Sequence, residues 1–327
     1  MNARSELLSA LACADEKYIS AATLAEKLGI SSEAVSEAVK ALEAEGFSIN
    51  SETSKGYKLS KENNKLSADI ILSHLTSKEL GRNIKILDTL DSTNNEIKKF
   101  EIENAPHGTT VIADRQTAGR GRIGRSFVSP SGSGLYMSVL VRQQLDIRFA
   151  PMITSAAACA AAEAVEELCE SKVMIKWVND LYMNGKKICG ILTEASLKPE
   201  MRKLDSAIIG IGINVRCIGD SFDNELKKIA TSIEDETGLK LDRNTLCAKV
   251  LDRLDTYLCK ISDRSFLEAY RSRELLTGNM ITATAGSEKL MGEAIGIDDN
   301  ANLIIKLKNG EIRHLGSGEA SLCRLVK

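Results

Sequence analysis

The sequence predicts an α+β protein in three parts: a winged helix-turn-helix over 1–65, a catalytic-type domain over 66–277 and a small β-barrel over 278–327. Three observations carry that reading. The first sixty residues alternate short helical patterns with turn signals and end on two strand-like pieces. The middle of the chain alternates apolar strand-like runs with helices, one of them long and rich in alanine. The last fifty residues are short strands separated by Gly and Asn turns.

At the N-terminus, Leu7–Ala14 is apolar, but it is short, Glu6 precedes it, and no cleavage site follows. It reads as an amphipathic first helix and not as a signal peptide. Residues 20–31 end a second small helix at Gly29, and Ser31 or Ser32 caps a third running to about Glu45, closed by Gly46. Val35, Ala38, Val39 and Leu42 fall at helical spacing on it. Phe47–Ile49 and Tyr57–Leu59 around Ser54-Lys55-Gly56 make a two-stranded wing, and helix, turn, helix, wing is a DNA-binding layout. Residues 1–60 carry six basic side chains against nine carboxylates. Phosphate neutralisation supplies much of the affinity for duplex DNA, so a module for partner contacts or regulation is the alternative reading.

Residues 61–80 read as a linker and then a helix. Strand-like runs follow at 84–87, 109–113, 135–141, 173–176, 187–194 and 207–215, with the alanine-rich helix over about 151–170. A hairpin signal stands at Asn184-Gly185. Turns at Gly286, Asp299-Asn300 and Asn309-Gly310 mark out the final barrel. The chain has 327 residues, 43% hydrophobic and 27% charged, with a net charge of −2, the composition of an ordinary soluble protein. That charge gives no global pull toward nucleic acid or anionic lipid. Eight cysteines show no C-x-x-C pair, so they read as small apolar side chains of a reducing cytoplasm, and no metal site is expected. No stretch is long enough to span a bilayer.

The most informative segment is Gly119-Arg120-Gly121-Arg122-Ile123-Gly124-Arg125, which sets three guanidinium groups among three glycines after a strand. Glycine permits close backbone approach, and arginine presents planar forks of donors to carboxylate or phosphate oxygens. The expectation is a mobile strap whose cations repel one another until an anion arrives. The same letters satisfy the dinucleotide fingerprint G-x-G-x-x-G and nearly a phosphate loop. Both need a following helix N-terminus, and Ser126–Gly134 resists forming a helix. An arginine–glycine RNA-binding tail and solvated loop charge are the remaining alternatives.

Further groups look ordinary one by one. Thr93-x-x-Glu96 within Asp91–Glu96 is a capping box. Lys176 ends an apolar strand beside the only tryptophan, either snorkelling to the surface or aimed at an anion, and Asn179-Asp180 could be a plain turn. In order, however, DSTN, RQTAGRGRIGR, SPSGSGLYMSV, KWVNDLY…KKICGIL and GIGINV resemble the biotin–protein ligases. With the N-terminal module, the whole chain resembles the bifunctional biotin ligase/biotin operon repressor class. The likeness is dense over about 88–216 and clear in outline at Gly318–Leu322.

The resemblance implies a class II synthetase-like mixed sheet with helices on one face, an SH3-like barrel after it and a homodimer when adenylate is bound. Biotin contacts fall on Ser92, Thr93, Asn94, Gln116, Arg120, Gly121, Arg122 and Lys176, with Lys176, Arg120 and Arg122 as catalytic groups. Gly119, Gly124, Arg125, Phe127 and Lys187 fall on the adenylate loop and its surroundings. Ser32, Ser36, Lys40 and Lys55 are the DNA-facing candidates. The implied reaction joins biotin and ATP, with Mg²⁺ on the nucleotide, into biotinyl-5′-adenylate. Biotin then passes to a lysine of a biotin carboxyl carrier protein, and operator DNA is the second partner. Phe127 stands where relatives carry Trp, Val178 where they carry Pro, and Ser36 and Glu37 where they carry basic residues. A lipoate–protein ligase is the nearest enzyme alternative, though its loop resembles R-R-x-x-G-G-G-x-V. A non-catalytic sensor that regulates transcription is the alternative from another class.

Overall fold

The computed structural model describes residues 3–14, 17–143, 145–198 and 203–323. Three helices, α1 (Ala3–Cys13), α2 (Ala21–Leu28) and α3 (Ser32–Ala44), and the two-stranded wing of β1 (Ile49–Glu52) and β2 (Gly56–Leu59) form the N-terminal unit. Ser20 and Ser31 accept hydrogen bonds from Thr23 N–H and Ala34 N–H, capping α2 and α3 as their positions require. Gly29 closes α2 in the left-handed region, φ +64°. The apolar stripe Val35, Val39 and Leu42 packs against Leu7, Leu8, Leu11 and Leu24 in a core of its own.

The linker is a structured connection. It leads into α4 (Ala68–His74), which packs on α1 and on α9 (Arg243–Cys259). Arg243, the largest fully buried side chain among the described residues, donates to Asn64 Oδ1 and Asp114 Oδ1, each at 2.8 Å, to Gly134 O at 2.9 Å, and to Asn64 O. Asn63, beside it, accepts from Ser48 N–H just before the wing. A buried guanidinium is tolerable only when so fully partnered.

The central sheet has seven strands: β3 (Ile84–Leu90), β4 (Thr110–Gln116), β5 (Gly134–Val141), β6 (Met174–Lys176), β7 (Asp180–Met183), β8 (Lys186–Lys198) and β9 (Lys203–Asn214). They lie in the order β3-β4-β5-β9-β8-β7-β6, with β3 and β4 parallel and every other neighbour pair antiparallel. Alternation along β5 sends Leu135, Met137, Val139 and Val141 into the main core and Leu140 to the other face. On the main face α6 (Met152–Cys169) covers β6–β8 and packs beside α9, which covers β5, and its alanines at 156, 157, 160, 161 and 164 are all buried. Small side chains let α6 approach both the sheet and its neighbour α9 closely.

The helices do not share one face, contrary to expectation. The helix α5 (Thr93–Ile102) crosses from β3 to β4 on the opposite side, with Ile97 packed among Val111, Leu140 and Ile208. Strands β8 and β9 also run farther than their apolar stretches, pairing on through Ser196 and Ser206, where alternation is too polar to read as a strand. Three shorter helices follow the sheet, α7 (Asn224–Ile229), α8 (Ile233–Thr237) and, after α9, α10 (Phe266–Arg273). The chain closes with a five-stranded antiparallel sheet of β10 (Met280–Ala285), β11 (Glu288–Ile297), β12 (Leu303–Leu307), β13 (Ile312–Leu315) and β14 (Glu319–Leu322), ordered β13-β12-β11-β10-β14. Its inner residues, among them Ile281, Leu290 and Leu303, belong to the same hydrophobic cluster as the central domain. Trp177 Nε1 donates across the junction to Ala301 O at 3.2 Å.

Candidate active site

The site lies between the strap, the β6–β8 end of the sheet and β14. The strap is a narrow hairpin: Phe127 N–H donates to Gly119 O at 2.8 Å and Gly121 N–H to Arg125 O at 2.7 Å. Arg122–Gly124 form a single 3-10 turn at its tip, with Ile123 (φ +52°) and Gly124 (φ +71°) left-handed. A Cβ on Gly119 would stand 2.3 Å from Phe127 O, so only glycine lets the two limbs close.

The three arginines are already partnered, which corrects the expectation of mutually repelling cations. Arg120 donates to Asn95 Oδ1 at 3.1 Å and lies 3.4 Å from Glu194. Arg122 donates to Asn179 Oδ1 at 3.0 Å, and Arg125 pairs with Glu319 of β14 at 2.7 Å. Carboxylates and amides from α5, β8, the turn between β6 and β7, and a strand of the C-terminal sheet supply counter-groups that no local pattern reveals.

Arg120, Arg122, Arg125, Lys176, Lys187 and Glu319 line one cavity of about 130 Å³. Lys176 is half-buried, with Nζ 3.5 Å from Ser321 Oγ and 5.8 Å from the centre of the Tyr182 ring. Burial pushes its pKa down; Asp180 and Glu319 oppose the shift, while Lys187 and Arg125 add to it. Lys187 pairs with Asp180 at 2.7 Å. The peptide bond after Trp177 is cis.

A second, smaller cavity of about 30 Å³ adjoins the first, and Arg120 and Phe127 border both. Its floor is glycine, from Gly190 on β8 and Gly210 and Gly212 on β9, and the Phe127 ring lies over that floor. A Cβ on Gly212 would come 2.7 Å from the ring. Its polar wall is Ser92, Thr93, Asn94 and Gln116. The capping box read at Thr93-x-x-Glu96 does not form. Ser92 holds the cap position without a side-chain cap bond, and Glu96 pairs with Lys99 at 2.7 Å. Thr93 turns inward, its N–H donating to Gln116 Oε1 at 2.8 Å and its hydroxyl standing 2.7 Å from Ser138 Oγ. Gln116 Nε2 donates to Ser129 Oγ at 2.8 Å. Asn94 Oδ1 accepts from Ser138 at 2.6 Å and its Nδ2 donates to Glu194 at 2.9 Å.

The structure thus gathers Ser92, Thr93, Asn94, Gln116, Arg120, Gly121, Arg122, Arg125, Phe127, Lys176 and Lys187 around two joined cavities. Gly119 shapes the strap from outside them, and Gly124 sits at its tip. Sequence reasoning missed Asn95, Ser138, Asn179, Glu194 and Glu319 as partners. The alternate glycines of GIGIN were the available signal for the floor. Far from this site, α3 exposes Ser32 and Lys40 and half-exposes Ser36, on a surface shared with Glu33 and Glu37. Lys55 is tied to Glu52 at 2.8 Å and lies 5.4 Å from the centre of the Tyr18 ring.

Among the described residues no cluster of three or more His, Cys, Asp or Glu could hold a metal ion, and no helix is long and apolar enough to cross a membrane. Comparison with known proteins gives a consistent result. Residues 86–214 match the biotin/lipoate A/B protein ligase family, 4–58 an HTH domain, and 277–323 the biotin protein ligase C-terminal domain. The chain is 34% identical over 322 residues to the bifunctional ligase/repressor BirA of Bacillus subtilis, covering 98% of each. It is 32% identical over 317 residues to that of Escherichia coli, covering 94% of each. Among solved structures, the biotin protein ligase from Aquifex aeolicus in complex with biotin and ATP matches with a TM-score of 0.63 and 32% identity, over 74% of this chain and 99% of that one.

Proposed function

The chain belongs to the bifunctional biotin ligase/repressor family, and from that premise we propose how its own residues carry out the ligation. It is an ATP-dependent biotin–protein ligase. A biotin carboxylate oxygen attacks the α-phosphorus of ATP, the bond to the β-phosphate oxygen breaks, and pyrophosphate leaves. A lysine amine of a carboxyl carrier protein then attacks the carbonyl carbon of the mixed anhydride, and AMP departs with the anhydride oxygen.

One observation carries the residue roles: five cationic side chains converge on a cavity joined to a small polar pocket with a glycine floor. Both reactants of the first step are anions, so cancelling repulsion is the main catalytic task. Lys176, Arg120 and Arg122 do this around the α-phosphate, with Arg125 and Lys187 farther out and Mg²⁺ arriving on the nucleotide. Ser92, Thr93, Asn94 and Gln116 give the ureido ring its donors and acceptors, and the flat glycine floor takes the bicyclic body of biotin once the Phe127 ring that covers it moves aside. Closure of the strap excludes water from the anhydride.

Incubation with biotin, ATP and a carrier domain should release pyrophosphate and add one biotin to the carrier by mass. Absence of both products would refute the ligase reading. The N-terminal unit binds operator DNA through α3 and the wing, as a dimer formed when adenylate is held, in the cytoplasm. A gel-shift titration with and without biotinyl-5′-adenylate, run beside analytical ultracentrifugation, tests that part. Affinity and mass that ignore the adenylate would overturn it.

A further inference from the structure

Glu194 has no place in the chemistry above and lines neither cavity, yet it touches Asn94 and Arg120, which do. It follows Gly190 and Leu192 on the same face of β8, and its side chain is 26% exposed. One oxygen accepts from Asn94 Nδ2 at 2.9 Å; the other accepts from Lys98 at 2.8 Å and lies 3.4 Å from Arg120. Asn94 is thereby held at both ends, since Ser138 donates to its Oδ1 at 2.6 Å. A flipped amide would set Oδ1 against the Glu194 carboxylate. On the other side a Cβ at Gly210 would come 2.1 Å from Asn94 Oδ1, so only glycine there leaves room for the Asn94 side chain.

We propose that Glu194 is a positioning residue for ligation, fixing the Asn94 amide with one oxygen and reserving Arg120 with the other until an anionic ligand competes for it. This rests on the biotin and ATP reading of the same site. The charges are suited to such an exchange. A partly exposed ion pair is weak, so a phosphoryl group arriving in the cavity can draw Arg120 away. Lys98 stays behind, so the carboxylate is not left unpaired. Burial works against ionised Glu194, but the bonds from Lys98 and Asn94 outweigh it and hold its pKa below the ordinary value.

Two substitutions in the full-length chain separate the functions. Glu194→Gln keeps an acceptor for Asn94 and removes the charge that reserves Arg120. Glu194→Ala removes both. Dissociation of biotinyl-5′-adenylate should slow roughly two- to fivefold in Glu194→Gln, the worth of one partly exposed pair. In that variant the KM for biotin should stay near wild type. In Glu194→Ala, KM for biotin should rise roughly three- to tenfold, the worth of one hydrogen bond, with kcat less affected. Faster adenylate loss in Glu194→Gln, or equal damage from both substitutions, would overturn the proposal. Should Glu194→Ala fail to fold, the glutamine variant alone decides. Pyrophosphate release by the unmodified protein tests the underlying reading separately. An active wild type with an unresponsive glutamine variant sinks only the role of Glu194.

Discussion

Lys176 must be charged to serve the reaction, yet its burial disfavours charge. Its pKa is lowered in the folded protein, so the unfolded chain binds the proton more readily. The resulting cost to stability is present in full below the folded pKa and fades as pH rises to the unfolded value of 10.5. Lys176→Met should therefore leave the melting temperature unchanged or slightly raised, while adenylate formation falls by roughly a hundredfold or more. Pyrophosphate release and calorimetry on the same sample check both halves. Adenylation by the unmodified protein should also fall on an alkaline limb that begins below pH 10.5. Whatever rate remains in Lys176→Arg should lack that limb, because the guanidinium does not titrate there. Arg122→Gly should release biotinyl-5′-adenylate faster, seen as labelling of bystander lysines. Little of this residue-level pairing was legible beforehand. Glycine–arginine spacing announces an anion site, but Asn179, Glu194 and Glu319 lie 57 to 194 positions from their arginine partners, and nothing local encodes such pairs.

At the scale of elements, turns and caps were the most readable features because their chemistry is local. Gly29, Ser31 and the Asn184-Gly185 hairpin all act where their sequence signals place them, the last with both residues left-handed. Thr93-x-x-Glu96 misled for the same reason: the pattern fits a cap, but tertiary bonds to Gln116 and Ser138 take the threonine away. The strand–glycine alternation of β9 has a direct consequence. Gly210→Ala would place a methyl group onto Asn94 Oδ1; overpacking of this kind costs roughly 1–3 kcal/mol. Urea melts should register that loss together with weakened biotin binding. On α3, Lys40 is an exposed cation beside two glutamates. Lys40→Ala should weaken operator binding across sequences and reduce the salt slope by about one. An unchanged slope would move the DNA contact to the wing.

At the scale of the whole molecule, three separately readable parts are fastened by contacts that are not readable at all. β14 reaches the strap through Glu319, and the linker meets the central domain at Arg243. Asp114, held by Ser131, Arg243 and the Gly132 N–H against its own burial, stays below its ordinary pKa of 3.8. Its contribution to stability is complete above that value and is lost as pH falls through the folded one. Arg243→Met should cost roughly 3 kcal/mol, the low end for a broken buried pair, since Asp114 keeps some water. Chemical denaturation at neutral pH measures it.

That junction also decides where the protein can be cut. An excised ligase beginning after residue 64 would strip Asn64 from Arg243, leaving a cation sealed inside with two of its four acceptor contacts gone. One beginning before Asn63 keeps the guanidinium satisfied while still discarding the three N-terminal helices and the wing. Fragments made for mechanistic or biotechnological use should start there, and the shorter ones should come out insoluble.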